Sequence, residues 1–260
     1  MRPELNYLVA RAKLAYGRSI AALLDCAPGA TAARAALERV GTAYGGWYCR
    51  TESLREGMLA VCCGAGEDIS FDVALNARWG VRVLCVDPTP RAIRHIAQLL
   101  AAQREGRDML VEKGPAHYQL QGFRPELFTF VPRAVWSRDG ALQLFAPRDP
   151  AHVSYSAVNL QGTAECMTVR ASTIGTLLRE LGLPHPGLVK LDIEGAEHEV
   201  IRAMLADNIL PDQLLVEFDE INQPRAPLFW LELRRTLRSL RDAGYRLAHR
   251  EHSNYLFLRT

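Results

Sequence analysis

The sequence predicts an α/β protein built on a mostly parallel β-sheet with a reversed last strand. From Met58 onward, short apolar runs alternate with helical stretches of ten or so residues. This alternation is typical of parallel strands joined by helices that cover both faces of the sheet. The last two apolar runs, residues 245–248 and 255–258, are joined by a polar link that is too short for a helical crossover. These two strands must therefore form either an antiparallel hairpin or a long bent pair at the edge of the sheet.

The other elements follow from apolar runs and from helical spacing of apolar residues. Strands are predicted at 58–63, 81–86, 128–135, 142–145, 166–170, 188–193 and 213–218. Helices are predicted at 68–79, 91–103, 172–181, 196–205 and 228–243. Ser172 is the expected N-cap of its helix. Tyr44-Gly45-Gly46-Trp47-Tyr48 is predicted to form a turn or loop that either closes over a pocket or packs on the N-terminal helices.

Two domain segments are expected. Residues 1–43 form an N-terminal helical extension, with helical runs at 5–15 and 31–40 separated by Pro28-Gly29. Residues 44–260 form one catalytic domain. The N-terminal helices offer a contact for a homodimer.

Composition excludes several classes of protein. The 260 residues are 48% hydrophobic, which is typical of a globular protein. The formal net charge is only +2, so electrostatic attraction does not favour non-specific binding of nucleic acid. No apolar run approaches the ~18 residues of a membrane helix. The six cysteines include no CxxC pair, and three of them lie in predicted buried strands. We therefore expect a cytoplasmic protein with free thiols, no zinc site and no membrane segment.

A glycine loop and an acidic residue predict a nucleoside pocket. Gly64-Ala65-Gly66-Glu67-Asp68 follows the first strand of the sheet, where ligands bind in such folds. Asp87 ends the next strand about twenty residues later, where an acid accepts the hydroxyls of a ribose. The alternative is that the glycines serve only a tight turn.

The charges of this loop favour S-adenosylmethionine over a dinucleotide. A dinucleotide fold has a third glycine where this chain has Ile69. Glu67 and Asp68 stand where a pyrophosphate would bring negative charge, whereas S-adenosylmethionine carries a sulfonium and an ammonium. The alternative role of Asp68 is to cap the following helix.

Acidic residues at the ends of two later strands are candidate catalytic groups. Lys190, Asp192 and Glu194 share one side of their strand, and Glu217 ends the next one. These carboxylates can take a proton from an acceptor, as can His152 in a loop. The alternatives are a structural ion pair at Lys190 or a divalent cation on the carboxylates; no metal site is predicted. The hydroxyls of Ser154, Tyr155 and Ser156, together with Asn159, suit a polar acceptor.

The chain resembles the FkbM family of S-adenosylmethionine-dependent methyltransferases. The resemblance runs from about Tyr44 to Phe218 and is most specific in Lys190-Leu191-Asp192-Ile193-Glu194-Gly195-Ala196-Glu197. It is also carried by residues 64–72, 86–90, 132–137 with Asp139-Gly140, and 154–160. Where many methyltransferases have an acid before the glycines, this chain has Cys62-Cys63, and Glu67 is the expected substitute.

This resemblance implies a Rossmann-like class I methyltransferase fold with a seven-stranded sheet. It further implies methyl transfer from S-adenosylmethionine to a hydroxyl of a small molecule, such as a sugar or a natural-product intermediate. The residues assigned to the cofactor are Gly64, Ala65, Gly66, Glu67, Asp68, Ser70, Asp87, Pro88, Thr89, Val135, Trp136 and Asp192. An N-methyltransferase, an NAD-dependent oxidoreductase and a non-catalytic cofactor-binding module remain the alternatives.

Overall fold

The structure is a computed structural model that describes residues 37–111, 118–146, 155–157, 163–222 and 228–260, with five helical residues between 11 and 19. Its strands are β1 Leu37–Val40, β2 Trp47–Arg50, β3 Leu59–Cys63, β4 Arg82–Val86, β5 Phe128–Val131, β6 Ala134–Val135, β7 Gly140–Phe145, β8 Cys166–Ser172, β9 Leu188–Leu191, β10 Gln213–Glu217, β11 Tyr245–Glu251 and β12 Asn254–Arg259. Its helices are α1 Ser70–Trp79, α2 Pro90–Arg104, α3 Ile174–Glu180, α4 Glu197–Ala206, α5 Asp219–Asn222 and α6 Trp230–Asp242.

Seven strands form the main sheet in the order β11-β12-β10-β9-β3-β4-β5. The pairings of β10 with β9, β9 with β3, β3 with β4, and β4 with β5 are parallel. The last strand, β12, runs antiparallel to both of its neighbours. The predicted fold class is therefore confirmed, including the antiparallel hairpin at the end of the chain.

Apolar side chains cover both faces of this sheet. Along β3, Leu59, Val61 and Cys63 enter one core, while Ala60 and Cys62 enter the other. Continuous apolar strands are expected when helices pack on both sides of a parallel sheet. The chain leaves β3 for β4 on one side and later returns to β9 on the other. This reversal opens a crevice at the carboxyl ends of β3 and β9, where open α/β sheets bind ligands.

The N-terminal prediction needs a correction. Leu37–Val40, predicted as the end of a helix, is strand β1, and it pairs antiparallel with β2. Trp47 and Tyr48, predicted to lie in a turn, belong to β2. The pairing gives this segment a partner that its own sequence pattern does not reveal. Of the predicted helix at 5–15, Arg11, Ala12 and Ala15 are helical and the rest lies outside the described residues.

Two boundaries also differ from the prediction. The expected strand 128–135 divides after Val131: β5 joins the main sheet, whereas β6 pairs with β8 in a separate three-stranded sheet. Ser172 ends β8 and does not cap α3. The cap is Thr173, whose hydroxyl accepts a hydrogen bond from the Thr176 amide at 3.0 Å. Within the described ranges, no helix is long and apolar enough to cross a membrane.

The β1–β2 hairpin is attached to the main sheet through Gln213. The side chain of this fully buried residue accepts a hydrogen bond from the Arg50 amide at 2.7 Å. It also donates to the Arg50 carbonyl at 3.0 Å and to the Ser53 hydroxyl at 2.9 Å.

We expect Gln213→Ala to destabilise the protein, because it removes the partner of the Arg50 amide, whereas the Arg50 carbonyl keeps its bond from the Ser53 hydroxyl. One such unpaired group costs about 1–3 kcal/mol, so the free energy of unfolding should fall by about that amount in chemical denaturation. Gln143→Ala, at an exposed position of β7, is the matched control and should change it little. Equal stabilities of the two variants would contradict this attachment.

Candidate active site

A cavity of about 620 Å³ lies at the carboxyl ends of the central strands. The segments after β3, β4, β9 and β10 form its floor and one wall. The turns of the β1–β2 and β11–β12 hairpins form the opposite wall. The cavity therefore occupies the crevice that the sheet topology creates.

Most of the residues predicted for the site lie around this cavity. The lining includes Gly64, Ala65, Gly66, Glu67, Asp68, Asp87, Pro88, Thr89, Val135, Tyr155, Asp192, Glu194 and Glu217. Three other predicted residues, His152, Ser154 and Asn159, lie outside the described residues.

Three predicted residues do not line the cavity. Ser70 accepts a hydrogen bond from the Thr42 amide at 2.9 Å, on the side of the β1–β2 turn. Trp136 packs against the apolar core, and its amide donates to the Ser172 carbonyl at 3.1 Å. Ser156 donates to the Glu194 carbonyl at 2.5 Å and so supports the cavity floor from behind.

The loops after β3 and β9 touch at the centre of the floor. A side chain at Gly64 would place its Cβ 1.7 Å from the Asp192 carbonyl oxygen, so only glycine fits there. Lys190 Nζ bridges the two loops, donating to the Gly64 carbonyl at 2.8 Å and to Asp192 Oδ2 at 3.0 Å. Burial lowers the pKa of Lys190, but the Asp192 and Asp72 carboxylates outweigh this effect and the pKa is raised. Lys190 is therefore a buried cation that holds Asp192 in place, which agrees with the alternative prediction of a structural ion pair at Lys190.

Asp87 organises the glycine loop. Its Oδ2 accepts hydrogen bonds from the Ala65 and Gly66 amides at 2.9 and 3.1 Å. Its Oδ1 accepts from the Thr89 amide and hydroxyl at 2.7 and 2.6 Å. These four bonds match the roughly four acceptor positions of a carboxylate, so Asp87 holds the loop before it binds any ligand.

The amino end of α1 is closed by protein groups. The Tyr118 hydroxyl accepts from the Ile69 amide at 2.9 Å, and Asp68 Oδ1 accepts from the Ser70 amide at 2.9 Å. The N-cap position of this helix is Ile69, without a side-chain cap, so Asp68 bonds the first helical amide from one residue before the N-cap position. A pyrophosphate binds at such a helix end through free amides. Here the Ile69 and Ser70 amides already bond protein groups, and the Asp68 carboxylate lies beside them, which disfavours a dinucleotide.

Two carboxyl groups meet on the floor of the cavity. The Glu217 carboxyl lies within hydrogen-bonding reach of Asp192, and Glu217 Oε1 accepts from the Ser253 hydroxyl at 2.9 Å. Burial, and next the Asp192 charge, raise the pKa of Glu217 to about 8. Glu217 therefore carries a proton at neutral pH, and its carboxyl group is hydrogen-bonded to Asp192.

The cavity is strongly acidic. Seven carboxyl groups line it: Glu67, Asp68, Asp87, Asp192, Glu194, Glu217 and Glu251. Among the described lining residues, Arg39 and Lys190 are the Lys and Arg side chains, and both are paired with carboxylates. This balance favours a ligand with positive charge and opposes phosphate groups.

Sequence reasoning missed the wall formed by the hairpins. Arg39 binds Glu251 at 3.0 Å and thereby joins the β1–β2 hairpin to the β11–β12 hairpin. Tyr44 is 60% exposed at the cavity mouth, and the Trp47 ring centre lies 5.3 Å from Lys190 Nζ. The remaining lining from the last hairpin is His252, Ser253 and Asn254. Of the two roles considered for Tyr44 and Trp47, lining the pocket is the one observed.

A metal-assisted site is not evident. No group of three or more His, Cys, Asp or Glu side chains is arranged to hold a metal ion in the part of the chain that the structure describes. The Asp192 carboxylate, which is a candidate ligand of a divalent cation, is paired with Lys190 instead.

The order of the strands in the main sheet, the antiparallel last strand and the acidic cavity are together typical of a Rossmann-like class I methyltransferase. The sequence model of the methyltransferase FkbM domain matches residues 62–247. The chain belongs to the FkbM methyltransferase family, and this confirms the resemblance that the motifs indicate.

Other comparisons are more distant. A search of curated proteins found no match. Among solved structures, precorrin-6y C5,15-methyltransferase from Geobacter metallireducens GS-15 is 12% identical with a TM-score of 0.41, over 80% of this chain and 83% of that one. Monomeric WbdD is 14% identical with a TM-score of 0.41, over 80% of this chain and 38% of that one. At these scores the likeness carries no argument about function.

The raised pKa of Glu217 predicts a pH dependence of stability. The unfolded chain loses this proton near its ordinary pKa of 4.5, whereas the folded protein keeps it up to about pH 8. The contribution of Glu217 to stability is thus complete below the lower value and lost as pH rises towards 8, by at most about 1.4 kcal/mol per pH unit. As pH rises from about 4.5 to about 8, the free energy of unfolding of Glu217→Gln should therefore increase relative to that of the wild type. Glu126→Gln, which removes an exposed carboxylate, is the control, and parallel curves for Glu217→Gln and wild type would refute the shift.

Proposed function

We propose that this methyltransferase transfers a methyl group from S-adenosylmethionine to a hydroxyl of a small molecule, such as a sugar or a natural-product intermediate. The observation that carries the proposal is the protonated Glu217 beside Asp192 on the floor of an acidic cavity. A carboxyl whose pKa lies near the operating pH is suited to take the proton of an acceptor hydroxyl.

The residues of the cavity fit this cofactor. Gly66 has a φ of 51°, and a Cβ at this position would meet nothing within 4 Å, so there is room for a ligand beside the loop. Glu67, which is paired with Arg91 at 3.0 Å, and Asp68 place carboxylate oxygens at the cavity, which suits a positively charged ligand. When bound, S-adenosylmethionine supplies an activated methyl group. Gly64, Ala65, Gly66, Glu67, Thr89, Val135 and Asp192 would hold it, and Asp87 would position the glycine loop.

The protein's contribution to the reaction is alignment and proton transfer. Lys190 fixes the Asp192 carboxylate at the junction of the two central loops. Glu217 loses its proton as pH rises towards 8 and then accepts the proton of the acceptor hydroxyl. Holding acceptor and donor in line contributes much of the rate in such displacements.

The hairpin wall is the proposed binding surface for the acceptor. Tyr44 offers an aromatic face at the mouth, and Glu251, His252 and Asn254 offer polar groups. Among the described lining residues, the cations are already paired, which supports an acceptor without phosphate or carboxylate groups. Tyr155 lines the same space. A neutral hydroxylated compound satisfies these conditions, and an amine, the second candidate, also fits the acidic lining.

We also propose a cytoplasmic location. Cys49, Cys62, Cys63 and Cys85 are free and buried, and Cys166 is free and exposed. Free thiols support a reducing compartment.

Titration calorimetry tests the choice of cofactor. We expect the protein to bind S-adenosylmethionine and S-adenosylhomocysteine, and to give no heat with NAD, because the amides that a pyrophosphate needs are occupied. Gly66→Val should weaken binding, because its side chain enters the ligand space. Gly106→Val, at a surface turn with a similar φ of 63°, is the matched control. Binding of NAD without binding of S-adenosylhomocysteine would refute the proposal.

Kinetics test the base. After an acceptor is found by screening hydroxylated compounds with isotope-labelled S-adenosylmethionine, Glu217→Gln should lower kcat by about 10²–10⁴-fold. The wild-type rate should rise with pH and level off above about 8, whereas the variant should lack this limb. Glu126→Gln should behave as the wild type. An unchanged pH profile in Glu217→Gln would exclude Glu217 as the base.

A further inference from the structure

Glu197 is a wholly buried carboxyl group that the proposed reaction does not use. It is the first residue of α4, and it does not line the cavity. Its Oε1 accepts hydrogen bonds from two backbone amides of the preceding loop, Ile193 at 3.0 Å and Gly195 at 3.2 Å. The side chain therefore reaches back from the helix to the loop between β9 and α4.

That loop has an unusual backbone conformation. Glu194 has a φ of 54° and Gly195 a φ of 95°, so two successive residues occupy the left-handed region. Glycine adopts this region freely, whereas glutamate does so only at a cost, which the surrounding contacts must offset. The loop carries Asp192 and Glu194, both of which line the cavity.

The loop is held from two other directions. The Asp192 amide donates to the Cys63 carbonyl at 3.1 Å, and the Ser156 hydroxyl donates to the Glu194 carbonyl at 2.5 Å. Neither bond reaches the amides of Ile193 and Gly195, which flank the strained residue. Glu197 satisfies both of these amides with one oxygen atom.

We infer that Glu197 is a positioning residue, which holds the strained loop in the shape that places Asp192 against Glu217 and Glu194 at the cavity. The inference deepens the proposed function, because it concerns the same carboxylates. Glu197 acts through the backbone and does not touch the ligand.

The surroundings of Glu197 show which of its properties matters. Burial, and then the charge of Glu220, raise the pKa of Glu197 far above the ordinary value. Burial and the neighbouring carboxyl groups raise the pKa of Asp219 in the same way. Both bonds of Glu197 to the loop amides use one accepting oxygen, which a neutral amide of the same shape also supplies. Glutamine should therefore replace Glu197, whereas an apolar side chain should not.

Three variants separate positioning from general stability. Glu197→Gln keeps the accepting oxygen, and Glu197→Leu removes it while filling the space. Met204→Ala creates a hole on the same helix, at a buried site away from the loop. Chemical denaturation first establishes that all three variants fold and how far each is destabilised.

Two readouts then follow at a pH where all variants are folded. In calorimetry, Glu197→Leu should bind S-adenosylhomocysteine about ten- to a hundredfold more weakly, as is typical when the partner of a binding group is lost. Glu197→Gln and Met204→Ala should stay close to the wild type. In carbon-13 NMR of side-chain carboxyls, Glu197→Leu should lower the titration midpoint of Glu217 by about one pH unit or more, because Asp192 moves away from it. After burial, the largest effects on the pKa of Glu217 come from Asp192, Ser253 and Glu194, and Glu197 is not among them. Asp219 interacts with both Glu197 and Glu217, so its titration is followed in the same spectra.

The inference would be overturned if Glu197→Leu behaved like Met204→Ala in both readouts. It would also be overturned if Glu197→Gln lost S-adenosylhomocysteine binding or shifted the titration of Glu217 as Glu197→Leu is expected to do. Absence of S-adenosylhomocysteine binding in the wild type would instead remove the proposed function. In that event the Glu217 titration, which needs no ligand, still decides the role of Glu197.

Discussion

The site depends on the close contact between the loops that follow β3 and β9. Gly64 lies so near the Asp192 carbonyl that any side chain would collide with it, and Lys190 ties the two loops together. This contact lies between β3 and β9, where the strand order of the sheet switches from one side of β3 to the other. The glycine loop and the acidic loop are consequently fixed relative to each other and together form the floor of the cavity.

Burying acids beside that floor has an electrostatic consequence. A carboxylate in a dry setting either binds a cation or keeps its proton. Asp192 does the first through Lys190, and Glu217, whose pKa is raised to about 8, does the second. Because Glu217 is neutral at pH 7, the cavity carries less negative charge than its sequence implies.

The sequence was informative wherever a local pattern determined the structure. Apolar runs located the strands of the main sheet, and the ends of those strands located Gly64, Asp87, Asp192 and Glu217. It failed where distant segments decide the outcome. Leu37–Val40 is a strand because of its partner β2, and the hairpin wall depends on the Arg39–Glu251 pair, which joins residues 212 positions apart. The role of Glu197 was equally hidden, because a carboxylate at the start of a helix usually serves the helix dipole.

The Lys190–Asp192 pair had two competing interpretations, structural and catalytic, and the geometry makes them compatible. An exposed carboxylate near a sulfonium would be free to rotate and would be screened by water. Held by Lys190 and by the close contact at Gly64, Asp192 keeps one orientation towards the cavity and towards Glu217. The same bond that joins the two central loops thereby adds the effect of Asp192 to the larger effect of burial on the pKa of Glu217, because a displaced Asp192 could no longer oppose the ionisation of Glu217.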